Sequence, residues 1–453
     1  MKNKYNIVFD VGKENAKIVL FNKKLKIIKI LKIKYPLLEL RKNFYFKDIN
    51  FLIFWFKKKL HSINKDYKID SIITATHGAA FGLVGENNKS LFGIMDYEND
   101  YSSINNQFND VLPKYKYTFS PNSEKGLSIG KQLLYLKLKE KKIFNKVENI
   151  LTLPQYISWV FSKKLSSEIS YLGNHTHLWN FRTNKFSSLI KKLKIENKFP
   201  KIKKAGSLLG HYILDERLIK QKIKIYNGLH DSDAAYSLFL KSSIKRFSLV
   251  SSGTHFVIMN SHTSTKSLVE NYDMYAGLDI FGKKVPTIRF MGGREFEFLN
   301  KELKLTKSRK FFDESFFDKQ DFLYPSYGVG GPFNNLKGNL DSFKLKRNAE
   351  KYMAAVSYIA FMTNYCLNLL ESKEDVIITG PLINNKDILK ILNSLTNKKK
   401  IYLYPSQEAT SIGCNMIKNK NYNLKLKIFK NKKYKNTKYA YNFWLKKIKD
   451  ITD

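Results

Sequence analysis

The sequence predicts an α/β protein of two related domains with a cleft between them, and three observations carry that expectation. β-rich runs alternate with helix-period runs along the whole chain. The opening pattern of strand, glycine turn and strand at residues 5–21 returns near residue 246 in RFSLVSSGTHFVIMN. At 453 residues the chain is long enough for two or three domains with ordinary cores. The boundary is placed at residue 243, giving an N-terminal domain of 1–243 and a C-terminal domain of 244–453. Ligands of such architectures bind preferentially between the two halves.

Each element follows from local chemistry. YNIVFD, AKIVLFN and LKIIKIL, within residues 5–31, are three successive strands, each rich in branched and aromatic residues and set off by short polar turns. A helix fits FKDINFLIFWFKKKLHSI (46–63), where apolar residues recur at helical spacing, and IDSIITATHGAA returns as a strand running into a loop. SIGKQLLYLKLKE (128–140) is helical, ENILTLP is a strand, and QYISWVFSKK is a helix beginning just after Pro154. Beyond the second strand pair, a long helix at 350–371 leads to EDVIITGPLINN, a strand ending in a glycine-bearing loop. From 418 the tail is basic, a short strand followed by an amphipathic closing helix with Tyr, Phe and Trp packing inward.

Composition narrows the class. The chain carries 80 Lys plus Arg against 39 Asp plus Glu, a formal +41, which points toward nucleic acid or an anionic membrane. The excess is nearly all lysine, spread evenly among abundant Asn, Ile, Phe and Tyr, and so decorates solvated faces; dedicated nucleic-acid binders concentrate charge in one patch. No specific nucleic-acid partner is expected. Cys366 and Cys414 fall in segments that read as buried helix, so neither a disulfide framework nor a metal cluster is supported. Asp10 and Lys13 break the first apolar run, against a signal peptide, and the apolar helix at 353–370 contains Ser, Thr and two Asn, as a core helix does. A cytoplasmic protein without a membrane partner is expected.

Two turns invite chemistry. Gly12 with Lys13 in FDVGKENAK, and Gly253 with Thr254 in SSGTHF, present backbone N–H groups at tight bends that can bind anions. Either alone is ordinary hairpin punctuation; together they make a phosphate clamp. Asp10, beside the first turn, is costly to bury without a partner. Mg²⁺ on nucleotide phosphates, bound through water, would be one; a turn-capping aspartate is the plain alternative. YNGLHDSDAAYSLF (226–239) sets a His-Asp pair and a second aspartate before a small-residue run that reads as a helix start. Asp231 at that N-terminus is favoured in its ionised form and can accept a proton from a hydroxyl attacking a phosphate. A simple N-cap by Asp231 or Asp233 is the alternative.

In chain order these stretches resemble the FGGY carbohydrate kinases, two-domain sugar kinases of the actin and hexokinase superfold, over nearly the whole length. FDVGKENAK looks like the first phosphate loop, and ATHGAAFGLVG followed by GIMDYEND looks like the first sugar-side segment. GLSIGKQLLYL and LPQYISWVFSKKLSSEISYLGNHTHLWNF resemble the helix and loop that follow. AGSLLGHY leads to GLHDSDAA, the base motif; SSGTHF resembles the second phosphate loop and VIITGPLINN the adenosine loop.

The resemblance implies two actin/hexokinase-like (ribonuclease H-like) domains and an ATP-dependent carbohydrate kinase using ATP and Mg²⁺, with a small-molecule sugar as its partner; the oligomeric state, a homodimer among the options, is left open by the sequence. It implies Asp231 as general base, and Asp10, Gly12, Lys13, Lys17, Gly253, Thr254 and Gly380 around the nucleotide, with Asp10 holding Mg²⁺ through water. It implies His77, Asp96 and Asp233 on the sugar. Lys13 stands where many relatives have threonine, and Lys17 where they often have lysine or arginine. MDYE occupies the place of a Trp-x-Asp-x-Arg segment but has neither the Trp nor the Arg, which leaves the substrate open. HDSDAA, GNHTHLW and MGGREFE resemble the rhamnulokinase and fuculokinase branch more than glycerol kinase, which favours a deoxy-ketose or similar ketose within a wider class of ketoses and related sugars or polyols; Arg294 in MGGREFE is assigned only loosely to the cleft. A catalytically silent sugar- or nucleotide-binding protein on the same fold is the alternative, since fold does not fix activity.

Overall fold

Residues Ile7–Val11 are buried on both faces, as in a central strand rather than a half-exposed one. The computed structural model describes the chain except for residues 1–3, 124, 217–218, 306–311, 397–398, 407, 419–423 and 453. Strand Lys4–Val11 pairs antiparallel with Asn15–Phe21, which pairs antiparallel with Ile27–Lys34. On its other side it runs parallel to Lys68–Thr76, and the sheet continues through Ile219–Tyr226 to Leu208–Glu216. The two-residue strand Leu229–His230 also pairs parallel with Lys68–Thr76.

Helix Ile49–Asp66 lays Leu52, Phe56, Leu60 and Ile63 against this sheet, with the Phe56 ring stacked 3.9 Å from that of Phe9. It starts later than its periodicity suggests. Residues Phe44–Lys47 are instead a strand paired with Leu37–Arg41, and the Asp48 side chain caps the helix by accepting from the Phe51 N–H. Apolar residues at 44 and 46 fit either period, and pairing decided between them.

The second large sheet repeats the first one's grammar. Phe247–Ser252 turns into antiparallel Phe256–Met259, which pairs with Lys284–Phe290, while on the other side it runs parallel to Asp375–Thr379 and then Ile401–Tyr404. Helix Asn348–Leu369 is buried along most of its length and contains Cys366; Cys414, in helix Ala409–Met416, is buried too. In the closing helix, Thr437–Thr452, Tyr441 and Trp444 turn inward, and the Trp444 indole donates to Leu323 O at 2.8 Å. Among the described residues no helix is long and apolar enough to cross a membrane.

The chain groups into two compact units. The first comprises 1–242, 276–284 and 408–424, and the second 243–275, 285–407 and 425–453. A single cut at residue 243 does not separate them, because two later segments return to the first unit. Helix Ala409–Met416 packs on helix Asp231–Leu240 so tightly that a Cβ on Gly413 would lie 1.9 Å from Ala234 O.

Candidate functional site

Strand register brings the predicted residues of the first unit together. Ala75 lies opposite Asp10 on one side and opposite Leu229 on the other, so three parallel strands end side by side at Val11, Thr76 and His230. The residues that follow, Gly12, His77 and Asp231, therefore share one edge of the sheet. The His77 N–H donates to Val11 O at 2.8 Å, tying two of these ends together. The carboxyl ends of parallel strands are where open α/β sheets bind ligands.

Asp10, 6% exposed, is held at one oxygen. Its Oδ2 accepts from Ser411 Oγ at 2.7 Å and lies 3.1 Å from Lys17 Nζ, while Oδ1 has no hydrogen-bond partner among the described residues. Lys17 also donates to Glu408 at 2.6 Å. Burial pulls the Lys17 ammonium down, but Asp10 and Glu408 outweigh it and raise its pKa. Lys17 thus acts on Asp10 as an anchoring cation. Gly12 accepts the Tyr35 hydroxyl at its carbonyl, 2.8 Å away.

Helix Asp231–Leu240 begins on the residue expected to act as base, with Asp231 and Asp233 in a first turn that favours negative charge. The cap position itself is His230, so neither aspartate is the N-cap. Asp231 Oδ1 accepts from the Ser232 N–H at 2.6 Å; its Oδ2 takes no hydrogen bond among the described residues, and the side chain keeps 31% exposure. Burial raises the Asp231 pKa, with His230 opposing and Asp10 adding to the rise. Asp233 is buried, its Oδ2 accepting from Asn174 at 3.0 Å and lying 3.2 Å from His230 Nδ1.

His77 is a neutral acceptor. Its Nδ1 contacts Gly78 O at 2.8 Å, which places the ring proton there, and its buried Nε2 has no hydrogen-bond partner among the described residues. Burial, with Lys47 nearby, lowers its pKa to about 3. An unprotonated nitrogen with nothing to accept from is suited to a ligand hydroxyl.

Lys13 and Asp96 meet beside His77, whose ring lies 6.0 Å from that of Tyr97, around a cavity of about 750 Å³ lined by Lys13, Glu14, Tyr35, Lys47, Asp96 and Glu98 among others. Neither His77 nor Asp231 is among its lining residues. Lys13 Nζ lies 2.9 Å from Glu98 and 4.0 Å from Asp96, and it sits 4.6 Å over the Tyr97 ring. Lys47, 3% exposed, donates to Lys13 O at 2.7 Å and stands 3.8 Å from Asp96; burial lowers its pKa. Glu98 fills the place where the resembling segment has arginine, so the positive charge comes instead from Lys13 and from Lys125, 2.6 Å away.

In the second unit, Gly253, Thr254 and Gly380 stand at one edge, since Ser251 is in register with Thr379. Gly380 has φ 87°, and a Cβ there would come 1.9 Å from Ser252 O. Gly293 is equally fixed, because a Cβ would come 2.0 Å from Gly253 O, and Arg294 N–H donates to Thr254 O at 3.2 Å. MGGREFE therefore starts a helix, Gly292–Glu302, against the Gly253–Thr254 turn. At Gly253 itself a Cβ would make only an ordinary contact, 3.6 Å from His255 O.

Sequence reasoning missed Glu408, Ser411, Lys47, Asn174 and the clamping position of His230. His230 was visible in the HDSDAA string and Asn174 in GNHTHLW; the others carry no local signal.

Two family models match the chain: the N-terminal domain of the FGGY family of carbohydrate kinases over residues 5–236, and the C-terminal domain of carbohydrate kinase FGGY over 244–425. No curated protein matches. Among solved structures, the chain is similar to a carbohydrate kinase from Novosphingobium aromaticivorans, at 21% identity and TM-score 0.87 with 100% of both chains covered. It is similar to a ligand-bound xylulose kinase from Lactobacillus acidophilus, at 15% identity and TM-score 0.78 with 99% of this chain and 98% of that chain covered. It is also similar to a Plasmodium falciparum glycerol kinase with ADP, at 14% identity and TM-score 0.75 with 99% and 98% covered.

Proposed function

Because the chain belongs to the FGGY family of carbohydrate kinases, we propose that it transfers the γ-phosphoryl group of ATP to a hydroxyl of a ketose, with Asp231 as general base. The observation that carries the assignment of Asp231 is the shared edge of the first sheet. Register sets a carboxylate with an uncommitted Oδ2 next to a neutral imidazole with an uncommitted Nε2, at the ends of three parallel strands. The substrate hydroxyl oxygen attacks the γ-phosphorus, the bond to ADP breaks, and the hydroxyl proton passes to Asp231. Phosphoryl transfer asks for positioning and charge neutralisation more than covalent help.

His77 accepts from one sugar hydroxyl, and Asp96 with its lysines reads others. Gly12, Gly253, Thr254 and Gly380 are the proposed nucleotide contacts. The lack of steric need for glycine at 253 supports this, since a side chain there would fill space outside the fold rather than within it. Asp10 fits Mg²⁺ held through water: one carboxylate oxygen is uncommitted, and Mg²⁺ prefers few carboxylates and retained waters. No cluster of three His, Cys, Asp or Glu able to hold a metal directly occurs among the described residues. When bound, the ion neutralises phosphate charge. Lys13 and Lys17, expected on the nucleotide, serve here as the cations of Glu98 and Asp10. HDSDAA, GNHTHLW and MGGREFE favour a deoxy-ketose of the rhamnulose or fuculose kind. Coupled ADP release with ATP, Mg²⁺ and L-rhamnulose, L-fuculose, D-xylulose or glycerol tests the reading. One deoxy-ketose driving turnover is the expected result; no sugar-dependent ADP release across ketoses and polyols overturns it.

A further inference from the structure

We propose that His230 is a positioning residue for phosphoryl transfer, its ring clamped as an imidazolium between Asp233 at Nδ1 and Asp231 at Nε2 so that the base carboxylate is held aimed and ionised. The inference rests on the kinase reading for its consequence, though the clamp itself does not. The geometry is two-sided. His230 Nδ1 lies 3.2 Å from Asp233 Oδ2, and Nε2 lies 3.5 Å from Asp231 Oδ1.

The surroundings leave the ring one place to be. His230 is 4% exposed, the Tyr171 ring stands edge-on at 5.4 Å and the His175 ring at 5.9 Å. Gly78 completes the wall, since a Cβ there would come within 2.8 Å of His230 Nε2. Asp233 accepts from Asn174, whose amide nitrogen is also 3.2 Å from His230 Nδ1. A neutral ring with its proton on Nδ1 would already donate to Asp233; the second proton, on Nε2, is what supplies the charge that balances this buried carboxylate.

The charged and titratable groups facing the ring are Asp231 and Asp233 from its own helix, Glu168 and His175 from the 168–175 segment, and His77 from the end of Lys68–Thr76. Asp10 acts on Asp231 from the first strand. The carboxylates prevail: burial lowers the His230 pKa, but Asp231, Asp233 and Glu168 raise it overall. A cation beside Asp231 opposes the rise that burial imposes on that base.

Two measurements test this on the full chain. Imidazole ¹⁵N NMR, with His230 assigned by its loss in His230→Gln, should find both ring nitrogens protonated at pH 7, and Asp231→Asn or Asp233→Asn should each lower the pH at which the ring loses its proton. A neutral ring at pH 7, or one indifferent to both substitutions, overturns the clamp. In the ADP-release assay with the ketose that is turned over, His230→Gln keeps a donor near Asp231 but no charge. Its kcat should fall on the acid side of the profile while KM for ATP holds, with the acid limb moved up by roughly one pH unit, a tenfold change in proton affinity, so that activity recovers as pH rises past the shifted limb. A uniform loss at every pH, as from damaged folding, overturns the positioning role. If no sugar drives turnover in the wild type, the kinase reading fails while the NMR arm still decides the clamp.

Discussion

The Lys13 ammonium lies 2.9 Å from the Glu98 carboxylate and 4.6 Å over the Tyr97 ring, so a lysine on the first glycine turn is committed to the MDYEND segment. Lys13→Thr should leave Asp96 and Glu98 with fewer cations and loosen that cavity wall. We expect KM for the sugar to rise roughly fivefold, about 1 kcal/mol, with KM for ATP changed by less than about twofold. Steady-state kinetics varying each substrate in turn checks this. A change falling on ATP instead would return Lys13 to the nucleotide.

Three glycines of the second unit should separate by cause. Gly293→Ala and Gly380→Ala drive a Cβ to within 2.0 Å and 1.9 Å of backbone oxygens, and Gly380 also has φ 87°. Each should destabilise by more than about 2 kcal/mol in urea melts. Gly253→Ala meets nothing closer than 3.6 Å, so stability should change by less than about 0.5 kcal/mol while KM for ATP rises. A Gly253→Ala protein with normal nucleotide affinity would remove the turn from the nucleotide site.

What the sequence made legible is what local chemistry encodes. The strand, glycine turn, strand units at Lys4–Phe21 and Phe247–Met259 announce themselves by β-rich runs around a glycine. The helix start at Asp231 was legible because its acidic first turn and its small residues are contiguous, whereas the role of base came from the family resemblance. Ser411 and Glu408 were not, because they reach Asp10 and Lys17 across nearly the whole chain, through packing of Gly413 on Ala234 that no periodicity reports. Lys47 was invisible for a different reason. One lysine among 80 Lys plus Arg carries no signal until burial singles it out, and its strand was read as the opening of the following helix. The direction of Lys13 depends on where its long stem finds carboxylates, which a backbone turn does not specify.

Asp231→Asn preserves shape but cannot accept the proton. With general-base catalysis worth about 10²- to 10⁴-fold, kcat should fall by that factor while KM for ATP stays within about twofold. The wild-type pH profile should show the same group. Burial raises the Asp231 pKa above its ordinary value of 3.8, so activity should climb as pH rises through that raised value and the base ionises. An Asp231→Asn protein with undiminished turnover would disqualify this carboxylate as the base.

Glu168 gives the fold a pH dependence of calculable sign. It is fully buried and caps the short helix Ile169–Leu172, accepting from the Ser170 and Tyr171 N–H groups and the Ser170 hydroxyl. Burial pushes its carboxyl up to about 7 from an ordinary 4.5, with those hydrogen bonds opposing. The folded state then holds the proton more tightly than the unfolded chain. Below pH 4.5 the two states are equally protonated; between 4.5 and 7 the unfolded chain ionises first, and the fold loses stability up to roughly 3 kcal/mol, after which the contribution is flat. Glu168→Gln has no proton to lose, so urea denaturation should show the variant gaining on the wild type from pH 5 to pH 8. Taking the difference between the two proteins cancels groups such as His77, whose lowered pKa acts in the opposite direction, its stability being present above the ordinary imidazole value and lost as pH falls toward about 3. A wild-type minus variant difference that stays constant across that range would mean Glu168 is ionised in the fold, its three donors outweighing its burial.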